Sequence, residues 1–105
     1  MTHPLAGLRV VELATDVAGP YATKLLADAG ADVVKVEHPE GGDPMRRWTS
    51  SGVEVPPSED SVLFRFLNTS KRCVAIDWTT AAGRAELLDL VAGADVVVES
   101  LGGIE

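Results

Sequence analysis

Three shortages bound what this chain can be. It has a single cysteine, Cys73, so it can form neither an internal disulfide nor a cysteine-built zinc cluster, which fits a reducing cytoplasm. Positive charge is scarce: 9 Lys and Arg against 16 Asp and Glu leave a formal net charge of -7, which opposes a broad electrostatic grip on nucleic acid or an anionic membrane. No uninterrupted apolar run approaches the ~20 residues of a membrane span, and Met1-Thr2-His3-Pro4 lacks the charged and apolar regions of a signal peptide. The expectation is a cytoplasmic protein that engages neither membrane nor nucleic acid. Two local basic pairs, Arg46-Arg47 and Lys71-Arg72, run against the overall balance.

Familiar catalytic signatures are missing as well. There is no G-x-S-x-G elbow, His3 and His38 have no evident Ser or Cys partner, and no His, Cys, Asp and Glu group has metal-ligand spacing. The dinucleotide fingerprint G-x-G-x-x-G is absent too, since the first turn offers only Gly19 followed by Pro20. Glu37 stands where an acid could bond a ribose hydroxyl, but without those glycines it reads as a strand-end carboxylate facing water. His38 reads as structural and Cys73 as a small side chain in or beside a strand. Asp16 keeps two readings: a ligand-facing group at the carboxyl end of the first strand, or a charge that favours the following helix dipole.

What is present is an alternation of strands and helices. A length of 105 residues with 46% hydrophobic content suits one compact domain. Leu8 to Leu13 is a β-branched apolar run and reads as a buried strand. Ala14-Thr15-Asp16-Val17-Ala18-Gly19-Pro20 follows as a loop, with Pro20 at the first helical position and a helix N-terminus able to receive an anion. Tyr21, Leu25 and Ala29 recur at helical spacing, with Ala22 and Leu26 on the same broad face, and Gly30 ends the helix. Asp32 to Glu37 is the second strand, joined by a crossover that should be right-handed.

Residues 38–60 are rich in Pro, Gly, Ser and charge and form a long loop. Arg46, Arg47 and Trp48 stand out there, against the plainer reading of a solvated turn with one aromatic anchor. Val62 to Leu67 suits a short helix or strand. Cys73 to Asp77 is a third strand, Thr79 or Thr80 caps a helix that Gly93 closes near Ala92, and Asp95 to Glu99 is a fourth strand of buried type. The order predicts a Rossmann-like α/β fold: a mostly parallel sheet with flanking helices, its strands too apolar to alternate. No helix follows the fourth strand to cover the sheet, so the architecture is expected to be incomplete at the C-terminus. A homo-oligomeric partner or a complementary chain would then supply the cover. An uncovered apolar patch of a few hundred Å² forfeits several kcal/mol at ~25 cal/mol per Å², so the isolated chain is expected to associate.

Several segments, in order, carry a family likeness: Gly7 to Leu13 (GLRVVEL), Ala18-Gly19-Pro20, Leu26 to Glu37 (LADAGADVVKVE), Gly42-Asp43-Pro44, Asn68 to Asp77 (NTSKRCVAID) and Ala94 to Ser100 (ADVVVES). Together they resemble the N-terminal segment of the class III CoA-transferases, a family that includes formyl-CoA, carnitine and succinyl-type CoA-transferases and α-methylacyl-CoA racemases. Any one segment is weak by itself.

The resemblance implies that residues 1–105 are the N-terminal Rossmann-like part of the large domain of a longer, homodimeric enzyme. It also implies CoA or acyl-CoA bound as a substrate rather than as a tightly held cofactor, with a carboxylic acid as the other substrate. By position, Thr15, Asp16, Val17 and Ala18 should border the thioester, His38, Ile76, Asp77 and Thr79 should lie near the adenine, and Ser100 and Leu101 should approach the phosphate and pantetheine. The chain departs from other members in having Thr15 and Val17 where His and Gln are frequent, Thr79 for a lysine, Ser100 for an asparagine, and His38 where an arginine stacks on adenine. The family's catalytic aspartate falls beyond the segment corresponding to residue 105, and Asp16, Asp28, Asp43 and Asp77 do not stand in its place. The alternative kept beside this reading is a non-catalytic CoA- or nucleotide-binding, or self-associating, α/β module.

Overall fold

The structure, a computed structural model, describes residues 3–101. Four strands, β1 (Arg9–Leu13), β2 (Asp32–Glu37), β3 (Arg72–Ala75) and β4 (Val96–Glu99), form one parallel sheet in the order β3-β2-β1-β4. Its helices are α1 (Ala18–Asp28), α2 (Val62–Asn68) and α3 (Ala81–Ala92). β1 is central, with β2 on one side and β4 on the other, so the strand order reverses beside β1. In open α/β sheets the carboxyl ends of the strands at such a reversal form a crevice for ligands.

The two faces of the sheet bury different clusters. On one, Val10, Ala27, Ala31 and Val33 pack beneath α1, joined by Leu5, Leu8, Leu26 and Val98. On the other, Val11, Leu13, Val36 and Ile76 meet Leu87 of α3, with Trp78, Leu90 and Val91 around them. Because side chains alternate along a strand, neighbours such as Val10 and Val11 serve opposite helices. A third cluster, Met45, Phe64 and Leu67, lies between α2 and a 3-10 turn at Pro44–Arg47.

Local chemistry explains most boundaries. Thr80 caps α3, its Oγ1 accepting from the Gly83 N–H at 3.0 Å. Gly83 is required by close approach, since a Cβ there would sit 1.6 Å from the Asp77 carbonyl oxygen. Ser61 caps α2, which resolves residues 62–67 as helix. The first helix begins earlier than the sequence suggests, at Ala18, and Pro20 is its third residue. The N–H groups of the first turn have no intrahelical acceptor, so a proline is tolerated there as well as at the first position.

Expectations about burial are overturned at α1 and at β4. On α1 the buried residues are Pro20, Thr23 and Ala27, whereas Tyr21 and Leu25 of the expected apolar face are 47% and 51% exposed. Thr23 turns inward because a buried carboxylate beneath it, Glu12, accepts its hydroxyl. Second, β4 is not a buried strand: it is an outer strand of the sheet, with Val96 and Val97 each 37% exposed. No helix among the described residues is long and apolar enough to cross a membrane.

Candidate functional site

The loop after β1 runs along the carboxyl ends of β1 and β4. Asp16 turns it with φ +62°, and Gly19 brings α1 so close to β1 that a Cβ there would meet Ala14 Cβ at 2.5 Å. The loop is tied to the far end of the chain: the Thr15 N–H donates to Ser100 Oγ at 3.0 Å, and the Ser100 N–H donates to the Leu13 carbonyl at 3.3 Å. The Leu101 N–H in turn donates to Glu99 Oε2 at 2.7 Å. Thr15, Asp16, Val17, Ala18, Ser100 and Leu101 therefore share one end of the sheet. No side chain caps α1, whose first-turn N–H groups face this loop.

A second group gathers at the ends of β2 and β3. His38 Nε2 lies 3.4 Å from Asp77 Oδ1, and the imidazole meets Trp78 edge-on with ring centroids 6.2 Å apart. Asp77 Oδ1 also accepts from the hydroxyl and the N–H of Thr79. Those Thr79 hydrogen bonds, with a smaller contribution from His38, hold the Asp77 carboxyl below its usual range. Ile76 differs from its neighbours: its side chain is buried in the α3-side core and its N–H donates to the Glu37 carbonyl at 2.9 Å, so it lines this end through backbone. At ~4.8 Å per strand, the two groups stand roughly 10–15 Å apart along the same carboxyl edge.

Between and beneath the groups is a feature the sequence reading missed. Glu12, Thr23 and Lys35 are fully buried, as is the Lys71 side chain. Glu12 Oε1 accepts from Thr23 Oγ1 at 2.7 Å and contacts Lys71 Nζ at 2.8 Å, while Oε2 accepts from Lys35 Nζ at 3.2 Å. Lys35 Nζ also donates to the Ala14 carbonyl at 2.8 Å and makes an ion contact with Asp43 Oδ2 at 3.0 Å, without an aligned hydrogen bond to that oxygen. Burial lowers the pKa of Lys71, and the adjacent Glu12 carboxylate offsets only part of the shift.

The network continues through the loop at 38–60. Glu37 does not face water: it is 9% exposed and takes a two-pronged pair of bonds from Arg46, at 3.0 and 2.7 Å, plus the Asp43 N–H at 2.9 Å. Burial raises the Glu37 pKa, but Arg46, the Asp43 N–H and Lys35 together outweigh it and leave the carboxyl below its ordinary value. Arg46 also reaches Asp60 at 2.8 Å and lies 4.0 Å over the Phe64 ring. Arg47 donates to the carbonyls of Val55, Pro56 and Glu59. The loop is thus stapled by arginines and by buried Met45, while Trp48, the expected anchor, is 41% exposed. A signal was available in KVE and GGDP, where charge interrupts otherwise apolar or turn-forming residues; its partners 6 to 23 residues away were not.

An open hollow of about 1110 Å³ is lined by Trp48, Val53, Leu63 and Phe66 together with the Arg46 and Arg47 partners Val55, Pro56, Glu59 and Asp60, and shares no residue with the two groups at the carboxyl edge. The free thiol of Cys73 lies exposed on β3. No three metal-ligating side chains cluster among the described residues. The carboxyl edge offers backbone N–H groups, hydroxyls and an imidazole–carboxylate pair spread over several strands, an arrangement suited to an extended polar ligand.

A parallel sheet with helices on both faces and a strand reversal beside β1 defines a doubly wound α/β protein. Residues 5–103 match the sequence profile of CoA-transferase family III. The chain belongs to that family. It is 46% identical over 99 residues to the succinate–glutarate CoA-transferase of Agrobacterium fabrum, an alignment that takes in 92% of this chain and 25% of that protein. It is 38% identical over 97 residues to the succinyl-CoA–L-malate CoA-transferase alpha subunit of Chloroflexus aurantiacus, covering 92% of this chain and 22% of the relative. Among solved structures it superposes on a CAIB/BAIF family protein from Brucella suis with a TM-score of 0.83 and 44% identity, over 94% of this chain and 26% of the other. The chain spans about a quarter of the length of the relatives it matches.

Proposed function

We propose that this chain is the CoA-binding, N-terminal Rossmann-like part of the large domain of an acyl-CoA:carboxylate CoA-transferase. The observation that carries this reading is the paired anchoring of the β1–α1 loop to Ser100 at the strand reversal, in a chain that matches the family over residues 5–103. In this proposal Thr15, Asp16, Val17 and Ala18 border the thioester, Ser100 and Leu101 the pantetheine and phosphate, and His38, Ile76, Asp77 and Thr79 the adenine. Thr15 and Ser100 offer hydroxyls, and the α1 N-terminus offers unbonded N–H groups to an anion.

The chemistry we propose for the whole enzyme is covalent. An aspartate carboxylate outside this chain attacks the thioester carbonyl carbon, the C–S bond breaks, and CoA leaves as thiolate while a mixed anhydride forms. The thiolate then attacks the aspartyl carbonyl, releasing the first acid and giving an aspartyl-CoA thioester, from which the second carboxylate takes CoA by the same two displacements in reverse. Acyl-CoA and acid are substrates, and no tightly held cofactor is invoked. The rest of the fold comes from further sequence, a second copy or a complementary chain.

Calorimetric titration of the 105-residue chain with CoA, beside NAD as control, tests the reading. Saturable binding of CoA without NAD is expected, together with no acyl exchange between acyl-CoA and acid. A folded sample that binds no CoA would defeat the assignment of the site, and measurable exchange would defeat the placement of the nucleophile outside this chain.

A further inference from the structure

The buried charges beneath the β1–α1 loop are aimed at its backbone. Lys35, from β2, donates to the Ala14 carbonyl at 2.8 Å, and Lys71, just before β3, donates to the Pro20 carbonyl at 3.0 Å. Those carbonyls bracket residues 15–19, the segment that turns over the carboxyl edge. One carboxylate, Glu12, holds both ammonium groups, and Asn68 Oδ1 takes the remaining contact of Lys71 at 2.8 Å. With Asp43 beside Lys35, each ammonium has three oxygen neighbours, two of them hydrogen-bonded and the third, Asp43 for Lys35 and Glu12 for Lys71, an ion contact.

A set of buried ions is a poor device for stability alone, since apolar residues of similar volume often do as well or better. What apolar residues cannot do is bond one carbonyl at the start of the β1–α1 loop and another in the first turn of α1. We propose that Lys35 and Lys71 are positioning residues, fixing the β1–α1 loop from below at both ends and so setting the part of the CoA site that this loop supplies. The ligand named here rests on the proposed function; the clamp itself does not.

The test compares amide hydrogen exchange in the wild-type chain, in Lys71→Met and in the double variant Glu12→Gln/Lys71→Met, which removes the charge that the single change strands. Thr15 and Tyr21 report on the loop, because their N–H groups bond Ser100 Oγ and the Val17 carbonyl. Val11 and Val34 report on the sheet. Loss of one bracketing hydrogen bond is expected to speed exchange at Thr15 and Tyr21 by about tenfold while the sheet amides hold their rates. CoA titrated into the same samples should bind about tenfold more weakly to the variants.

Equal acceleration in loop and sheet, unchanged loop exchange in the double variant, or a double variant that does not fold would each overturn the proposal in favour of a purely structural network. If the wild-type chain binds no CoA, the proposed function fails, and the exchange rates still decide whether the lysines position the loop.

Discussion

On its α3 side, the sheet presents Val11, Leu13 and Val36 to Ile76 and Leu87, a cluster that is apolar throughout. On its α1 side the same two central strands present Val10 and Val33 near their amino ends, then Glu12, Lys35 and Glu37 toward their carboxyl ends. Both faces are buried, yet one is held by area and the other partly by matched charge. The charges lie at the end where the loops of the candidate site emerge. Apolar packing is tolerant of small displacements, whereas a carboxylate shared between two ammonium groups fixes direction as well as distance. The face beneath the β1–α1 loop is thus the one whose geometry is most narrowly specified.

Four substitutions break or sharpen this contrast. The largest effect is expected from Lys35→Met, which strands Asp43 in the interior and leaves Glu12 with Lys71 alone, and should cost ~3–5 kcal/mol, a large part of a typical domain's stability, by urea unfolding. Leu87→Ala attacks the other face and should cost about 2–3 kcal/mol, with the loss following the cavity it leaves; a cost equal to that of Lys35→Met would erase the distinction.

Third, Glu37 links the charged face to pH. Its folded pKa is depressed, so its contribution is complete above roughly pH 5 and disappears as pH falls through the lowered native value. Glu37→Gln should therefore lower stability near neutrality and flatten the acid side of the stability–pH curve. An unchanged acid limb would show that the Arg46 pair contributes nothing. The smallest effect on stability is expected from Phe66→Ser on the exposed face of α2, within ~0.5 kcal/mol, since Phe66 is 55% exposed. The same change should reduce self-association by sedimentation at tens of micromolar; a wild-type chain that sediments as a clean monomer there would remove the premise.

Much of the fold was legible because it rests on local signals. Thr80 as a cap, Gly93 as a stop and β-branched runs at residues 9–13 and 32–37 act within a few residues of themselves. The candidate residues were chosen through the resemblance of their segments, and the structure places Thr15 beside Ser100 and His38 beside Asp77. The charged face was hidden for a physical reason. Glu12 looks like one polar residue in an apolar strand, and its meaning lies in Thr23, Lys35 and Lys71, on three other segments. The same holds for Tyr21 and Leu25: their spacing identifies a helix correctly but not which side of it is covered.

The bond between Thr15 and Ser100 spans 85 positions of sequence. During synthesis the β1–α1 loop leaves the ribosome long before β4 exists to lie beside it, and β1 must wait with one ladder unfilled. Pairings this distant in sequence are slow to form and leave strand edges open meanwhile. The loop that borders the candidate site therefore reaches its finished shape only after residues 96–100 have joined the sheet.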